Sequence, residues 1–306
     1  MLESLLQRFA ERDRLALSRL LSLLARGQHI EEILAVNSAK PQAASRVVAI
    51  TGSGGVGKST LVGKLIERFR EKGQTVAVLA CDPESPLSGG ALLGDRFRMP
   101  SRPDDDGVFI RSLAAASGHG PLAGHLPAMI QLLRAFSFDL VLLETAGAGQ
   151  GDTAVRELAD VLVLLLQPET GDDLQWEKAG LLEVADIVVI HKADLPGADQ
   201  AAAQVRAALD LAGAKPMPVI RVSAKTGAGI EELVRAILDF VLPEREHIRD
   251  GKELLRLAQE MLASRFAGAT AAKDQQFLQL VTSWQRGELD RRPAAGALIR
   301  LLAKDG

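Results

Sequence analysis

Between residues 46 and 222 the chain repeats one pattern: a short apolar run, then a helix-length amphipathic stretch. Arg46–Thr51, Thr75–Ala80, Val108–Ile110, Leu140–Leu143, Val161–Leu166, Ile187–Ile190 and Val219–Val222 are apolar on successive positions instead of alternate ones. A strand with one face in water alternates, whereas a run apolar on both faces belongs in a parallel sheet covered by helices on two sides. The pattern predicts an α/β, doubly wound, mostly parallel sheet, whose loops at the strand C-termini carry the chemistry.

The two ends read differently. Met1 to Leu24 places Leu, Phe and Ala at helical spacing, but Glu3, Arg8, Glu11, Arg12, Asp13 and Arg14 interrupt it, unlike the continuous apolar segment of a secretion signal. Residues 1–44 are therefore expected to form two short docking helices. Strand signals stop at Leu242-Pro243, which bounds a core domain over 45–242. Residues 243–306 predict two or three helices broken at Gly268, Gly287 and Pro293. The stripes Leu254, Leu257, Met261 and Phe277, Leu280, Trp284 require burial on the main domain or on another subunit.

Composition narrows the class. With 306 residues, 47% hydrophobic and 25% charged, the chain has the make-up of a folded globular protein and not of a disordered or collagen-like one. A net charge of -3 argues against a nucleic-acid partner, which normally needs a basic excess. No run reaches the roughly 18–20 apolar residues that span a bilayer, so no membrane partner is expected. The single cysteine, Cys81, excludes an internal disulfide and a cysteine-rich metal cage, and it points to a reducing compartment, the cytoplasm.

The sharpest motif follows the first run. Gly52-Ser53-Gly54-Gly55-Val56-Gly57-Lys58-Ser59, continuing to Thr60, satisfies G-x-x-x-x-G-K-[ST] between a strand and a helix. The glycines let backbone N–H groups curl around phosphates at a helix N-terminus, Lys58 reaches the β and γ phosphates, and the Ser59 hydroxyl ligates Mg²⁺. Such a loop leaves ATP and GTP open. His191-Lys192-Ala193-Asp194, after the sixth run, stands where G proteins carry the guanine-reading [NT]-K-x-D loop. The Asp194 carboxylate can accept from guanine N1–H and the exocyclic amine, a donor pair that adenine lacks. His191 replaces the usual Asn, taking over its contact either to the base or to a neighbouring loop. Ser223-Ala224-Lys225 resembles the S-A-K element that closes over guanine, so GTP and GDP are expected as ligands.

With these motifs the chain resembles the MeaB/ArgK family of P-loop GTPases, chaperones of cobalamin-dependent acyl-CoA mutases, from the N-terminal helices to about Leu242. Three further blocks carry the likeness: Asp82-Pro83-Glu84-Ser85-Pro86 with Gly94-Asp95-Arg96, Glu144-Thr145-Ala146-Gly147-Ala148-Gly149-Gln150, and Gly171-Asp172-Asp173-Leu174-Gln175 running to Lys178. The resemblance implies switches I, II and III. Asp82 and Glu144 would hold Mg²⁺ with Ser59, directly or through water. Gly147 would contact the γ phosphate through its N–H, Gln150 would orient water, and Asp172 and Lys178 would couple a partner to hydrolysis. It further implies a homodimer, with residues 243–306 as the expected interface, and a partner mutase recognised through its cobalamin-binding domain. A small-molecule kinase and a nickel-insertion GTPase are the competing readings, the second disfavoured for want of Cys or His ligands.

Overall fold

The computed structural model describes residues 2–35, 45–83, 105–115, 125–145, 155–168, 179–211, 216–242, 251–271 and 274–303. The chain divides into two compact units, Met1–Leu242 and Pro243–Gly306. In the first, seven parallel strands lie in the order β3-β2-β4-β1-β5-β6-β7, with β1 Arg46–Gly52, β2 Val76–Pro83, β3 Val108–Ala115, β4 Leu140–Glu144, β5 Val161–Leu166, β6 Ile187–His191 and β7 Val219–Val222. Successive residues of each strand face opposite sides, and β4, β5 and β6 are buried along their whole length. Val47 and Ala49 pack with α1 (Leu2–Ala10), α2 (Arg14–Ala25), α3 (Ile30–Ala35) and α5 (Leu126–Ala135). Val48 and Ile50 pack with α4 (Lys58–Glu71) and with the helix at Ile230–Asp239. A third cluster sets Leu164, Leu166, Val188 and Ile190 against Ala179–Val184 and Ala198–Leu211. Counting the short helix Val155–Leu158, these are α6 (Val155–Leu158), α7 (Ala179–Val184), α8 (Ala198–Leu211) and α9 (Ile230–Asp239).

Among its described residues the N-terminal segment forms three helices, not two. Asp13 ends the first by capping α2, accepting from Leu15 N–H at 2.7 Å and Ala16 N–H at 3.2 Å, while Arg12 takes φ 67° to turn the chain. Leu17, Leu20, Leu21 and Leu24 then form a fully buried stripe against the sheet's cover. The third apolar run is longer than its apolar residues suggested. β3 is an edge strand and pairs with β2 from Val76↔Val108 to Pro83↔Ala115, and Arg111 meets the Ser22 hydroxyl at 3.1 Å. An edge position tolerates the polar residues that broke the sequence pattern.

Asp160, just before β5, ties this layer together: its carboxylate accepts from Val47 N–H and from Arg134 of α5, each at 2.8 Å. The second unit holds α10 (Gly251–Ala271), α11 (Gln275–Gln285) and α12 (Arg291–Leu302). Gly268 lies inside α10 and does not break it, since one glycine costs a helix only about 1 kcal/mol. Gly287, at φ 75°, does separate two helices, and Pro293 sits in the first turn of α12, where its missing N–H costs nothing.

Because Leu20 is fully buried and Leu15 on the same helix is 52% exposed, Leu20→Ala is expected to lower unfolding free energy by about 3 kcal/mol and Leu15→Ala by less than about 0.5 kcal/mol. Equilibrium urea denaturation measures both, and equal costs would show that α2 is not part of the core.

Candidate functional site

The site forms where β1, β4, β5, β6 and β7 end on one edge of the sheet. β1 finishes at Gly52 with φ 150°, a conformation L side chains rarely adopt, and a Cβ there would lie 2.5 Å from the Leu165 carbonyl of the neighbouring strand. The loop Ser53–Gly57 then turns into α4, with Val56 N–H donating to the Ser53 carbonyl at 3.3 Å. Gly57 is the N-cap, at φ 101°, and no side chain caps the helix. The first-turn N–H groups of a 14-residue helix thus face the loop without side-chain competition, which is how a helix N-terminus receives a phosphate. Lys58 is buried, and its ammonium arches back over the loop to donate to the carbonyls of Gly52 at 2.9 Å and Ser53 at 3.1 Å.

Glu144 closes the other side. Its register partners are Ile50 of β1 and Ala80 of β2, so the end of β4 lies beside the phosphate loop. The Ser59 hydroxyl donates to Glu144 Oε1 at 2.6 Å, both residues being buried. Two hard oxygen donors in contact at the loop mouth suit Mg²⁺, which takes oxygen ligands at about 2.0–2.1 Å and keeps several of its waters. Asp82 follows two residues beyond Ala80 on β2, on the same sheet edge. Thr145, the next residue after Glu144, is buried and its hydroxyl bonds that of Thr51 at 3.1 Å, a link across β4 and β1 that sequence reasoning missed. Among the described residues no group of three His, Cys, Asp or Glu side chains could hold a metal by itself.

On the other flank, His191 is 3% exposed and its Nδ1 lies 2.8 Å from the Val56 carbonyl. A carbonyl only accepts, so Nδ1 carries the proton and Nε2 is the bare nitrogen, buried with no hydrogen-bond partner among the described residues. Burial pushes the His191 pKa below its ordinary value and keeps the ring neutral. Of the two contacts open to this residue, the structure shows the one to the neighbouring loop. The ring also occupies the space beside Gly57, where a Cβ would come within 2.6 Å of it.

Lys192, at φ 55°, swings its ammonium to Gln167 Oε1 at 2.8 Å. Asp194 accepts from the Ser223 hydroxyl at 2.6 Å, and this bond holds its carboxyl below the usual carboxylate range. Lys225 stands 4.0 Å from the other carboxylate oxygen. Ser223 and Ala224 are buried at the end of β7, where Ser223 N–H donates to Ala228 and Ala193 N–H to Val222. An ionised carboxylate with one oxygen engaged by Ser223 is an acceptor fit for a paired N–H donor. Of the residues singled out from sequence, Gly52, Gly54, Gly55, Val56, Gly57, Lys58, Ser59, Thr60, Glu144, His191, Lys192, Asp194, Ser223, Ala224 and Lys225 gather on this edge. Gly147, Gln150, Asp172 and Lys178 lie outside the described residues.

Known proteins place this arrangement. The family model described as methylmalonyl-CoA mutase-associated GTPase MeaB matches residues 22–270, so the likeness runs past Leu242 into α10. A Pyrococcus abyssi protein named as a GTPase is 35% identical over 321 residues, covering 100% of this chain and 98% of that protein. A fused isobutyryl-CoA mutase of Cupriavidus metallidurans is 41% identical over 193 residues, covering 62% of this chain and only 18% of that much longer protein. Among solved structures, a LAO/AO transport system kinase superposes with a TM-score of 0.64 at 23% identity over 98% of this chain and 97% of that one, a likeness of fold. With the phosphate loop, the carboxylate at the end of β4 and the His191–Asp194 loop on one sheet edge, the chain belongs to the MeaB family of mutase-associated GTPases and is itself a P-loop GTPase.

Proposed function

We propose that this GTPase is a chaperone for a cobalamin-dependent acyl-CoA mutase, docking on the mutase's cobalamin-binding domain and gating cofactor delivery or removal by its nucleotide state. The observation that carries the reading is the fused relative: in a protein named for isobutyryl-CoA mutase activity, one segment matches this chain at 41% identity. Two activities joined in one polypeptide need no diffusional encounter, and the separate chains would meet through a docking surface instead. Isobutyryl-type and methylmalonyl-type mutases are therefore the first candidates.

The chemistry proposed is in-line attack of water on the γ phosphate. Lys58 would leave the Gly52 and Ser53 carbonyls for the β and γ phosphate oxygens, where its charge is worth most as negative charge spreads. The N–H groups of the loop and of the first turn of α4 would hold the remaining oxygens. Ser59, Glu144 and Asp82 would hold Mg²⁺, which supplies charge neutralisation across the β and γ phosphates when bound. Gly147 N–H would sense the γ phosphate, and Gln150 would orient the water. Asp172 and Lys178 would carry the partner's signal to the site. Ser223 would keep the Asp194 carboxylate ionised and aimed while it accepts from guanine.

Three further features belong to this proposal. Within the second unit, α10 exposes Leu254 at 70%, Leu255 at 58% and Met261 at 51%, which supports burial of that face in a homodimer. Among the described residues no helix is long and apolar enough to cross a membrane, and Cys81 is buried and forms no disulfide. Both fit work in the cytoplasm. The elements 1–44, 45–242 and 243–306 would then serve as cover, motor and dimerisation segment.

Hydrolysis of GTP is expected to be slow alone and to rise roughly tenfold or more when the cobalamin-binding domain of an isobutyryl- or methylmalonyl-type mutase is added, with no such rise for ATP. A phosphate-release assay reads this, and a GTP rate indifferent to both mutases would remove the chaperone reading.

The neutral His191 makes a second expectation. Its lowered pKa means that the unfolded chain binds a proton more readily, so the stabilisation is complete above about pH 6.5 and declines as pH falls toward the folded-state value. His191→Asn keeps an N–H donor without the titration. Melting temperature should therefore fall more steeply between about pH 7 and pH 5 in the wild type than in the variant, whereas parallel profiles would show that His191 does not titrate on unfolding.

A further inference from the structure

Gln167 is the first residue after β5, and neither the phosphate loop nor the base motif includes it. Parallel pairing of β5 with β6 runs through Leu166↔Ile190, so the next residues of the two strands are Gln167 and His191, with Lys192 directly beyond. Lys192 adopts the left-handed backbone conformation, which is unfavourable for a non-glycine residue and is kept only where the surroundings enforce it. In that turn its ammonium reaches Gln167 Oε1 at 2.8 Å in a half-buried setting. The other end of the same loop lies near Pro168: a Cβ added at Gly197 would come to 3.7 Å from Pro168 Cβ, an ordinary van der Waals distance. Gln167 thus ties the loop Lys192–Gly197 to the end of β5 through the Lys192 ammonium.

The consequence lies in the lysine stem. The four methylenes of Lys192 offer a purine face an apolar surface, but a freely moving lysine carries rotamer entropy that base binding would have to remove. A bond to the ammonium removes part of it beforehand.

We infer that Gln167 is a positioning residue for base selection: it fixes Lys192 over the base site and so tightens guanine-nucleotide binding without touching the nucleotide. This rests on the reading of Lys192 and Asp194 as the base loop. Release of a fluorescent GDP analogue from the full chain, and the ratio of GDP to ADP affinity, are measured for wild type, Gln167→Leu, Gln167→Glu and Lys192→Met. Gln167→Leu should release GDP roughly tenfold faster, the size of a lost hydrogen bond to a charged group, and should lower the GDP-to-ADP ratio with an unchanged melting temperature. Gln167→Glu, which keeps the acceptor, should restore both. If Lys192→Met alters release and ratio while Gln167→Leu does neither, the base loop stands and Gln167 has no part in it. If Lys192→Met leaves both at the wild-type level, the base-loop reading fails and takes the inference with it. A fall in melting temperature with an unaltered ratio in Gln167→Leu would mark the residue as structural only and overturn the proposal.

Discussion

At two glycines the turn from β1 into α4 has no room for a side chain, and the rest of the site is arranged around that lack of room. Gly52 is pressed against the backbone of β5, and Gly57 against the ring of His191. Both take positive φ, so the chain can leave the central strand and begin a helix within five residues. That short path aims the helix N-terminus and Lys58 at one point. A longer or bulkier loop would separate the dipole, the ammonium and the Ser59 hydroxyl, which act together only when they converge.

The neighbours that crowd the glycines also join the site into one body. His191 belongs to β6, yet its N–H bonds the carbonyl of Val56 in the phosphate loop. The phosphate loop and the loop after β6 are therefore built on strands that both pair with β5, and a shift of one is felt by the other. The same logic holds on the opposite flank, where Ser59 meets Glu144 and Thr51 meets Thr145. Burial magnifies each of these contacts, since a buried polar group that loses its partner forfeits about 1–3 kcal/mol. Specific nucleotide chemistry thus depends on an apolar sheet whose strands hold their ends in register.

The sheet was legible because its strands are apolar on both faces, and the phosphate loop was legible because its spacing is dictated by ligand geometry. Edge strand β3 was read too short, since Arg111 and Ser112 look like a loop until the edge position is known. Gly268 was read as a break although the helix on either side outweighs one glycine's cost. The third N-terminal helix escaped notice because Ile30–Ala35 is a single short turn or two. Pairings across strands were out of reach altogether: Thr51 with Thr145, Lys192 with Gln167 and His191 with Val56 exist only once β1, β4, β5 and β6 are placed side by side. His191 stands out in the sequence as a departure from Asn, but its partner and its tautomer follow only from the packing of β6 beside the phosphate loop.

The central claim is that Asp194, held ionised by Ser223, reads the two donors of guanine at a phosphate loop locked to the same sheet edge. Calorimetric titration of the full chain with GDP, IDP and ADP tests it most directly, because IDP keeps N1–H and lacks the exocyclic amine, while ADP lacks the pair. The account predicts GDP tightest, IDP weaker by roughly tenfold, and ADP weaker still. Equal affinity for the three would contradict it, leaving a phosphate site with no base reader.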